Sequence, residues 1–264
     1  MIVLKSGGFS ASIKTFGAEL CSIKNENTGD EYMWQAGERW SRHAPVLFPF
    51  VGRCKDFEYR WKGQSYTIEQ HGFARDLPFE VEAQTENQVV LKLTDSAHTL
   101  QRYPFRFEFR VIYQLEQNCL SMGFETHNKN SDEMPVSFGG HPAFAILNPE
   151  DVLIEFENDL NPPSYLLDDS CISNRTKLVT NGLGVIEVNA KTFDEDALIF
   201  RQLKSKWVLL KSRSSSKTVK VSLEGWPYLG IWAKPNANFI CLEPWQGLAD
   251  LSDFRRHQVA ELFS

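Results

Sequence analysis

Phe105-Arg106-Phe107-Glu108-Phe109-Arg110-Val111-Ile112-Tyr113-Gln114-Leu115 decides the fold class. Successive side chains of a β-strand point to opposite faces. Phe105, Phe107, Phe109, Val111, Tyr113 and Leu115 alternate with Arg106, Glu108, Arg110, Ile112 and Gln114, so this stretch reads as a half-buried strand. Val219, Val221 and Leu223 alternate with Lys220, Ser222 and Glu224 in the same way. Phe57-Glu58-Tyr59-Arg60-Trp61 and Ser65-Tyr66-Thr67-Ile68 form a predicted hairpin across Lys62-Gly63-Gln64, with its turn at Gly63. A second hairpin is expected around Thr28-Gly29-Asp30, and further strands over 89–94, 120–126, 152–157, 207–212, 228–233 and 239–243. Helical signals are few. Asp95 is placed to cap a short turn over 96–102 that Pro104 stops, and 253–263 is the other helical stretch. No linker, low-complexity run or repeat divides the chain. Many short strands with close turns mean an all-β sandwich or barrel, in one domain over 1–264.

Composition narrows the function classes. The 264 residues are 42% hydrophobic and 23% charged, as in ordinary soluble globular proteins. Five cysteines (Cys21, Cys54, Cys119, Cys171, Cys241) are scattered, odd in number and show no CxxC. That pattern argues against a disulfide framework or a zinc site and fits a reducing compartment. The N-terminus MIVLKSGGFSASIK lacks a signal-peptide core, and no apolar run is long enough to span a bilayer. Net charge is −6 and no Lys/Arg cluster marks a phosphate-backbone footprint. Nucleic acid and membrane are therefore not expected partners, and the chain reads as cytoplasmic; oligomeric state is not legible.

Three segments are unlike strand filler. Phe48-Pro49-Phe50-Val51-Gly52-Arg53 leads through the hairpin to Gln70-His71-Gly72-Phe73-Ala74-Arg75-Asp76. Ser137-Phe138-Gly139-Gly140-His141-Pro142-Ala143-Phe144 and Cys241-Leu242-Glu243-Pro244-Trp245-Gln246-Gly247 are the others. Each sets a titratable side chain beside Gly or Pro, where a strand ends or bends, and loops at strand ends commonly carry sites. Singly, each has a plain structural reading. A His before Gly serves as a turn residue. Glu243, in phase with Phe239 and Cys241, points to a buried face, where a carboxylate must be paired or shifted in pKa; a structural ion pair satisfies that. Trp34, Trp40, Trp226, Trp232 and Trp245 serve a core as well as a ligand platform. Two histidines and a carboxylate also suit a metal, but no HxH or HxxE pairing supports one, so none is expected.

Taken together, GR…HGFARD…GGHPAF…EPWQG resembles the aldose 1-epimerase family, in particular its uncharacterised bacterial branch. Gly17-Ala18-Glu19-Leu20, Tyr32-Met33-Trp34, Asp194-Glu195-Asp196-Ala197-Leu198 and Trp232-Ala233-Lys234-Pro235 extend the resemblance over nearly the whole chain. It implies a galactose-mutarotase-like β-supersandwich with a sugar in an open cleft. It also implies Glu243, His141 and His71 as catalytic residues, with Arg53 and Asp196 on the substrate. Arg75, Phe144 and Trp245 complete the expected substrate-binding set. Two departures stand out. Ala143 occupies a position where better-known galactose mutarotases carry a Tyr or similar. Family members also run past EPWQG into a closing strand, where this sequence stops at Ser264.

The implied reaction, mutarotation, opens a hemiacetal, rotates the C1–C2 bond and recloses the ring. One group takes the C1-hydroxyl proton while another protonates the ring oxygen. A carboxylate and a histidine suit those roles, with reference pKa values of roughly 4.3 and 6.5, and no cofactor is needed. The resemblance gives Glu243 the first role and His141 the second, with His71 assisting. Three rivals stand beside this reading. A sugar sensor of the same fold would lack the acid–base pair. A glycosidase would use Asp196 and Glu243 as its two carboxylates and leave the histidines idle. A hexose 6-phosphate epimerase would hold phosphate on Arg75 and Lys55.

Overall fold

The computed structural model describes residues 1–235 and 237–252. The expected helix at 253–263 lies outside the described residues. Elsewhere the period-two reading holds. Phe107–Glu116 is a ten-residue strand whose odd-numbered side chains are buried throughout. It pairs antiparallel with Cys119–Asn128 on one side and Gln88–Thr94 on the other. Glu80–Gln84 completes that four-stranded sheet. Val152–Phe156 and Trp207–Ser212 form the middle of a second four-stranded sheet, flanked by Val185–Glu187 and Thr218–Ser222. Ile2–Ser6, Phe9–Ile13 and Leu20–Asn25 make a three-stranded sheet that no period-two run announced. The predicted hairpin is Glu58–Trp61 with Gln64–Thr67; Lys62 and Gly63 both take positive φ, as its tight turn requires.

An eight-stranded antiparallel sheet carries the site. Its order runs Cys171–Leu178, Pro163–Asp168, Leu198–Arg201, Tyr228–Trp232, Phe239–Gln246, Phe138–Gly140 and Val46–Leu47, with Ala143–Ala145 also on Phe239–Gln246. Among the described residues the α-helix is Ala97–Leu100 alone. Ser96, not Asp95, caps it. The Ser96 hydroxyl accepts from the Thr99 amide and the Thr99 hydroxyl accepts from the Ser96 amide, a reciprocal capping box. Asp95 instead accepts from the Phe107 amide at 3.0 Å. No helix among the described residues is long and apolar enough to cross a membrane.

The main core joins the sheets through aromatics. Phe48 stacks on Phe109 with centroids 4.0 Å apart, and both are wholly buried. Phe109→Ala would cost about 3–5 kcal/mol, the transfer loss plus the cavity left behind. Buried hydroxyls are satisfied by backbone: Tyr113 donates to Ala18 O at 2.8 Å and Tyr103 to Pro135 O at 2.7 Å. Along Phe239–Gln246, Ile240 and Leu242 enter this core. Phe239, Cys241 and Trp245 belong to clusters on the opposite face. That opposite face is the floor of the site. All five cysteines are free thiols.

Candidate active site

Alternation along Phe239–Gln246 sets Cys241, Glu243 and Trp245 on one face of the central sheet. The neighbouring strand Phe138–Gly140 ends one residue before His141, which places the imidazole beside Glu243. His141 Nε2 lies 3.3 Å from Glu243 Oε2, and the Glu243 residue is 1% exposed. Trp40 stacks on His141 at 5.2 Å between centroids, while Trp232 meets its edge at 5.8 Å. These rings exclude water from one side of the imidazole.

His71 arrives from a distant segment, and glycines make that possible. His71 and Gly72 both have positive φ, 66° and 68°, so the chain reverses sharply. A Cβ at Gly72 would sit 2.2 Å from Phe48 O, too close for any other residue. The His71 amide donates to Gly52 O at 2.7 Å, and the Gly52 amide donates to His71 Nδ1 at 3.0 Å. With Nδ1 accepting, the neutral imidazole carries its proton on Nε2. The His71 ring stands 5.7 Å from that of His141, edge to face. The three residues expected to converge therefore do so.

They line a cavity of about 330 Å3, within the usual range for small-ligand sites. Trp40, Trp232 and Trp245 supply aromatic walls, and Arg42, Gln70, Arg75 and Asp196 bring polar groups to it. Asp196 is exposed, has φ of 73° and accepts from the Ala197 amide at 2.8 Å. Arg75 donates to Gln70 O at 2.7 Å and lies 3.6 Å from Asp76, which Arg42 meets at 2.9 Å. A second cavity of about 240 Å3, beside Asn148, Asn189, Lys234 and Asn238, is lined by no histidine and no acid–base pair of this kind.

Two expected ligands lie elsewhere. Phe144 is 6% exposed and packs in the main core, where the alternation of Ala143–Ala145 turns it away from the cavity. That corrects its reading as a substrate residue. Arg53 does not line the cavity: its guanidinium pairs with Asp169 at 2.6 Å and lies over the Phe57 ring. Asp169 and Ser170, both at positive φ, turn the chain between Pro163–Asp168 and Cys171–Leu178, and Ser170 does line the cavity. Lys55, considered for a phosphate, donates to Ser252 O at 2.8 Å. Arg42, Trp40 and Gln70 carried no decisive signal. Residues 35–45 have no periodicity to read.

Burial governs the electrostatics. Desolvation pushes Glu243 well above the usual carboxylate range; the Trp245 indole pulls it down, and the charge of Asp196 pushes it up. Desolvation lowers His141 to about 3, against a hydrogen bond with its own backbone, and Arg75 and Arg42 add to the fall. His71 falls well below 6.5, by burial first and then by His141, Arg75 and Arg42. Burial thus disfavours the charged form of both His141 and Glu243, which stand 3.3 Å apart. Cys241 adds a sulfur to the pair, the three donor atoms lying within 4.8 Å of one another. Burial and then Glu243 push the proton affinity of that thiol well up.

The aldose 1-epimerase family model matches residues 1–253. The chain belongs to the aldose 1-epimerase family. It is 34% identical to the chromosomal LacX protein of Lactococcus lactis subsp. lactis, over 94% of this chain and 88% of that one. Among solved structures it resembles a galactose mutarotase related enzyme from Lactobacillus acidophilus. The TM-score is 0.94 and the identity 36%, covering 99% of this chain and 90% of the other. A galactose mutarotase-like protein from Lactobacillus casei follows at TM-score 0.88 and 29% identity, covering 95% and 89%. The all-β architecture of this epimerase-family chain is thus galactose-mutarotase-like, and its family implies a sugar substrate.

Proposed function

We propose that this chain interconverts the α and β anomers of an aldose by general acid–base ring opening and reclosure. One observation carries the reading: a carboxylate and an imidazole 3.3 Å apart at the floor of a sugar-sized, aromatic-walled cavity. With a proton on His141, Glu243 is the base for the C1 hydroxyl and His141 the acid for the ring oxygen. The C1–O bond to the ring breaks, an aldehyde and a new hydroxyl form, and the C1–C2 bond rotates. Reclosure runs the same transfers in reverse, so the pair ends as it began.

Burial helps here in a specific way. In water the proton prefers imidazole over carboxylate by about two pK units. Burial raises Glu243 and lowers His141, which works against that preference. A sugar hydroxyl donating to the carboxylate stabilises its charged form, as a base at the C1 hydroxyl requires. His71, its proton held on Nε2 by the Gly52 contact, is a donor toward the ring oxygen. Asp196 and Arg75 hold hydroxyls, and Trp245 offers an aromatic wall. Arg53 bears on the sugar through Asp169 and the turn that carries Ser170.

A second reading concerns charge on the sugar. Arg42 and Arg75 both line the cavity, and each guanidinium depresses the proton affinity of both histidines. Asp76 serves both arginines as their carboxylate partner. An anionic substituent, such as the phosphate of a hexose 6-phosphate, would relieve that excess of positive charge. Anomer exchange followed by NMR over free and 6-phosphorylated aldoses tests both readings. Exchange of a 6-phosphate alone, lost in Arg42→Gln, would decide for the second. Exchange of no aldose would remove both and leave a sugar-binding protein.

A further inference from the structure

Trp245 is embedded in the sheet more deeply than an aromatic wall requires. Its residue is 5% exposed, and two glycines on flanking strands make room for the indole. A Cβ at Gly139 would lie 2.7 Å from Trp245 Cδ1. A Cβ at Gly230 would lie 2.4 Å from Cζ2 and 3.2 Å from Cε2. Cδ1 and Cε2 are the two carbons bonded to Nε1, so the glycines clamp the ring on either side of its N–H. Gly139 pairs with Trp245 across the sheet, and Gly230 pairs with Glu243. Trp245 and Glu243 are two residues apart on one strand face. The clamped N–H and the carboxylate therefore share one buried corner. Nε1 and Glu243 Oε2 are both buried without a formed hydrogen bond, a donor and an acceptor each costly to leave alone.

We propose that the Trp245 indole N–H is a positioning donor for Glu243: it hydrogen-bonds the charged carboxylate and turns its free lone pair toward the sugar. The inference rests on the epimerase reading for its kinetic consequence, not for the contact itself. The indole already lowers the proton affinity of Glu243 against burial and Asp196. The titratable groups facing Glu243 are Cys241 on its own strand, His141 beyond Phe138–Gly140, and Asp196 before Leu198–Arg201. Tyr228–Trp232 adds Tyr228 opposite Trp245. His71, Arg75 and Arg42 act behind His141. Removing the Trp245 N–H leaves every one of these groups in place.

The test uses the whole protein labelled with 15N. Of the seven tryptophan indole signals, the one missing in Trp245→Phe belongs to Trp245. In wild type that signal should move with pH as Glu243 ionises, and Glu243→Gln should abolish the movement. In kinetics, Trp245→Phe and Gly230→Ala should each slow exchange by about tenfold or more at neutral pH, as for losing a hydrogen bond to a charged group. Both should displace the pH profile to higher pH, since an unsupported carboxylate holds its proton more tightly. An indole signal indifferent to Glu243→Gln, or a Trp245→Phe profile superimposable on wild type, would overturn the proposal. A signal that follows Glu243 in a protein that exchanges no aldose would confirm the contact and remove the epimerase reading instead.

Discussion

His141 and Glu243 are separated by 3.3 Å through space and by a whole second sheet along the chain. Either alone is a buried polar group without a full set of partners, as the unpaired His141 Nδ1 and Glu243 Oε2 attest. In the proposed mechanism they act as one proton-transfer unit. His141→Asn should therefore lower anomer exchange by roughly 10² or more, and adding Glu243→Gln should cost little further. Steady-state rates for the two single variants and the double variant check this. Fully additive losses would mean that the two groups act in separate steps.

Gly52 has two constraints at once. Its φ is 72°, and a Cβ there would meet the Ala249 Cβ at 2.4 Å. Its amide also holds His71 Nδ1. Gly52→Ala should cost at least about 1 kcal/mol from the left-handed backbone alone. At this chain length that lowers Tm by about 2–4 °C per kcal/mol. Exchange should fall beyond the loss of folded protein, because the His71 tautomer is no longer fixed. Thermal melts beside rates per folded molecule separate the two effects.

Glu19 ties the N-terminal sheet to the loop that carries Trp40 and Arg42. Its carboxylate accepts from the amides of His43 and Ala44 at 2.7 and 3.2 Å. Burial raises its proton affinity, but His43 and Lys14 outweigh burial and bring Glu19 down to about 2. His43 is raised to about 9 by the Cys21 sulfur and then by Glu19. Signs follow from linkage. The depressed Glu19 contributes stability above its unfolded value near 4.5, which is lost as pH falls toward 2. The raised His43 contributes below about 6.5, and that is lost as pH rises toward 9. Glu19→Gln should thus destabilise most between about pH 4.5 and 6.5, and progressively less toward pH 9. Denaturant midpoints at pH 5.5 and pH 9 for both proteins measure the difference. An equal loss at both values would contradict the linkage.

Glu243, His141 and Cys241 offer oxygen, nitrogen and sulfur within 4.8 Å. The proposed mechanism uses the first two to move a proton and needs no ion between them. Dialysis against a strong chelator should leave the exchange rate unchanged. Activity lost to the chelator and restored by one equivalent of zinc would assign these donors to a metal instead.

The strands with one wet face were legible because they alternate: Phe107–Glu116, Thr218–Ser222 and the Gly63 hairpin emerge where period two predicts them. The central sheet was legible only in part. Tyr228–Trp232 and Phe239–Gln246 are buried on both faces, so they show apolar runs, while Phe138–Gly140 and Val46–Leu47 are too short to show a period. The motifs around His71, His141 and Glu243, whose glycines mark tight backbone geometry, single out three residues that line one cavity. Arg42 was missed because its position in the cavity depends on Glu19 gathering an aperiodic loop, a long-range contact with no local pattern. Phe144 was misplaced because a motif does not reveal on which side of the sheet an alternating residue falls.

The central claim is that Glu243 is the base of an anomer-exchange reaction. Exchange spectroscopy by NMR, at low temperature and near neutral pH to suppress the spontaneous reaction, compares wild type with Glu243→Gln on each aldose the protein binds. The variant keeps the shape of the site and most of its hydrogen bonding, so sugar binding should survive while catalysed exchange falls by roughly 10² or more. Wild-type exchange in Glu243→Gln on every sugar bound would contradict the account and leave the cavity as a binding site without catalysis.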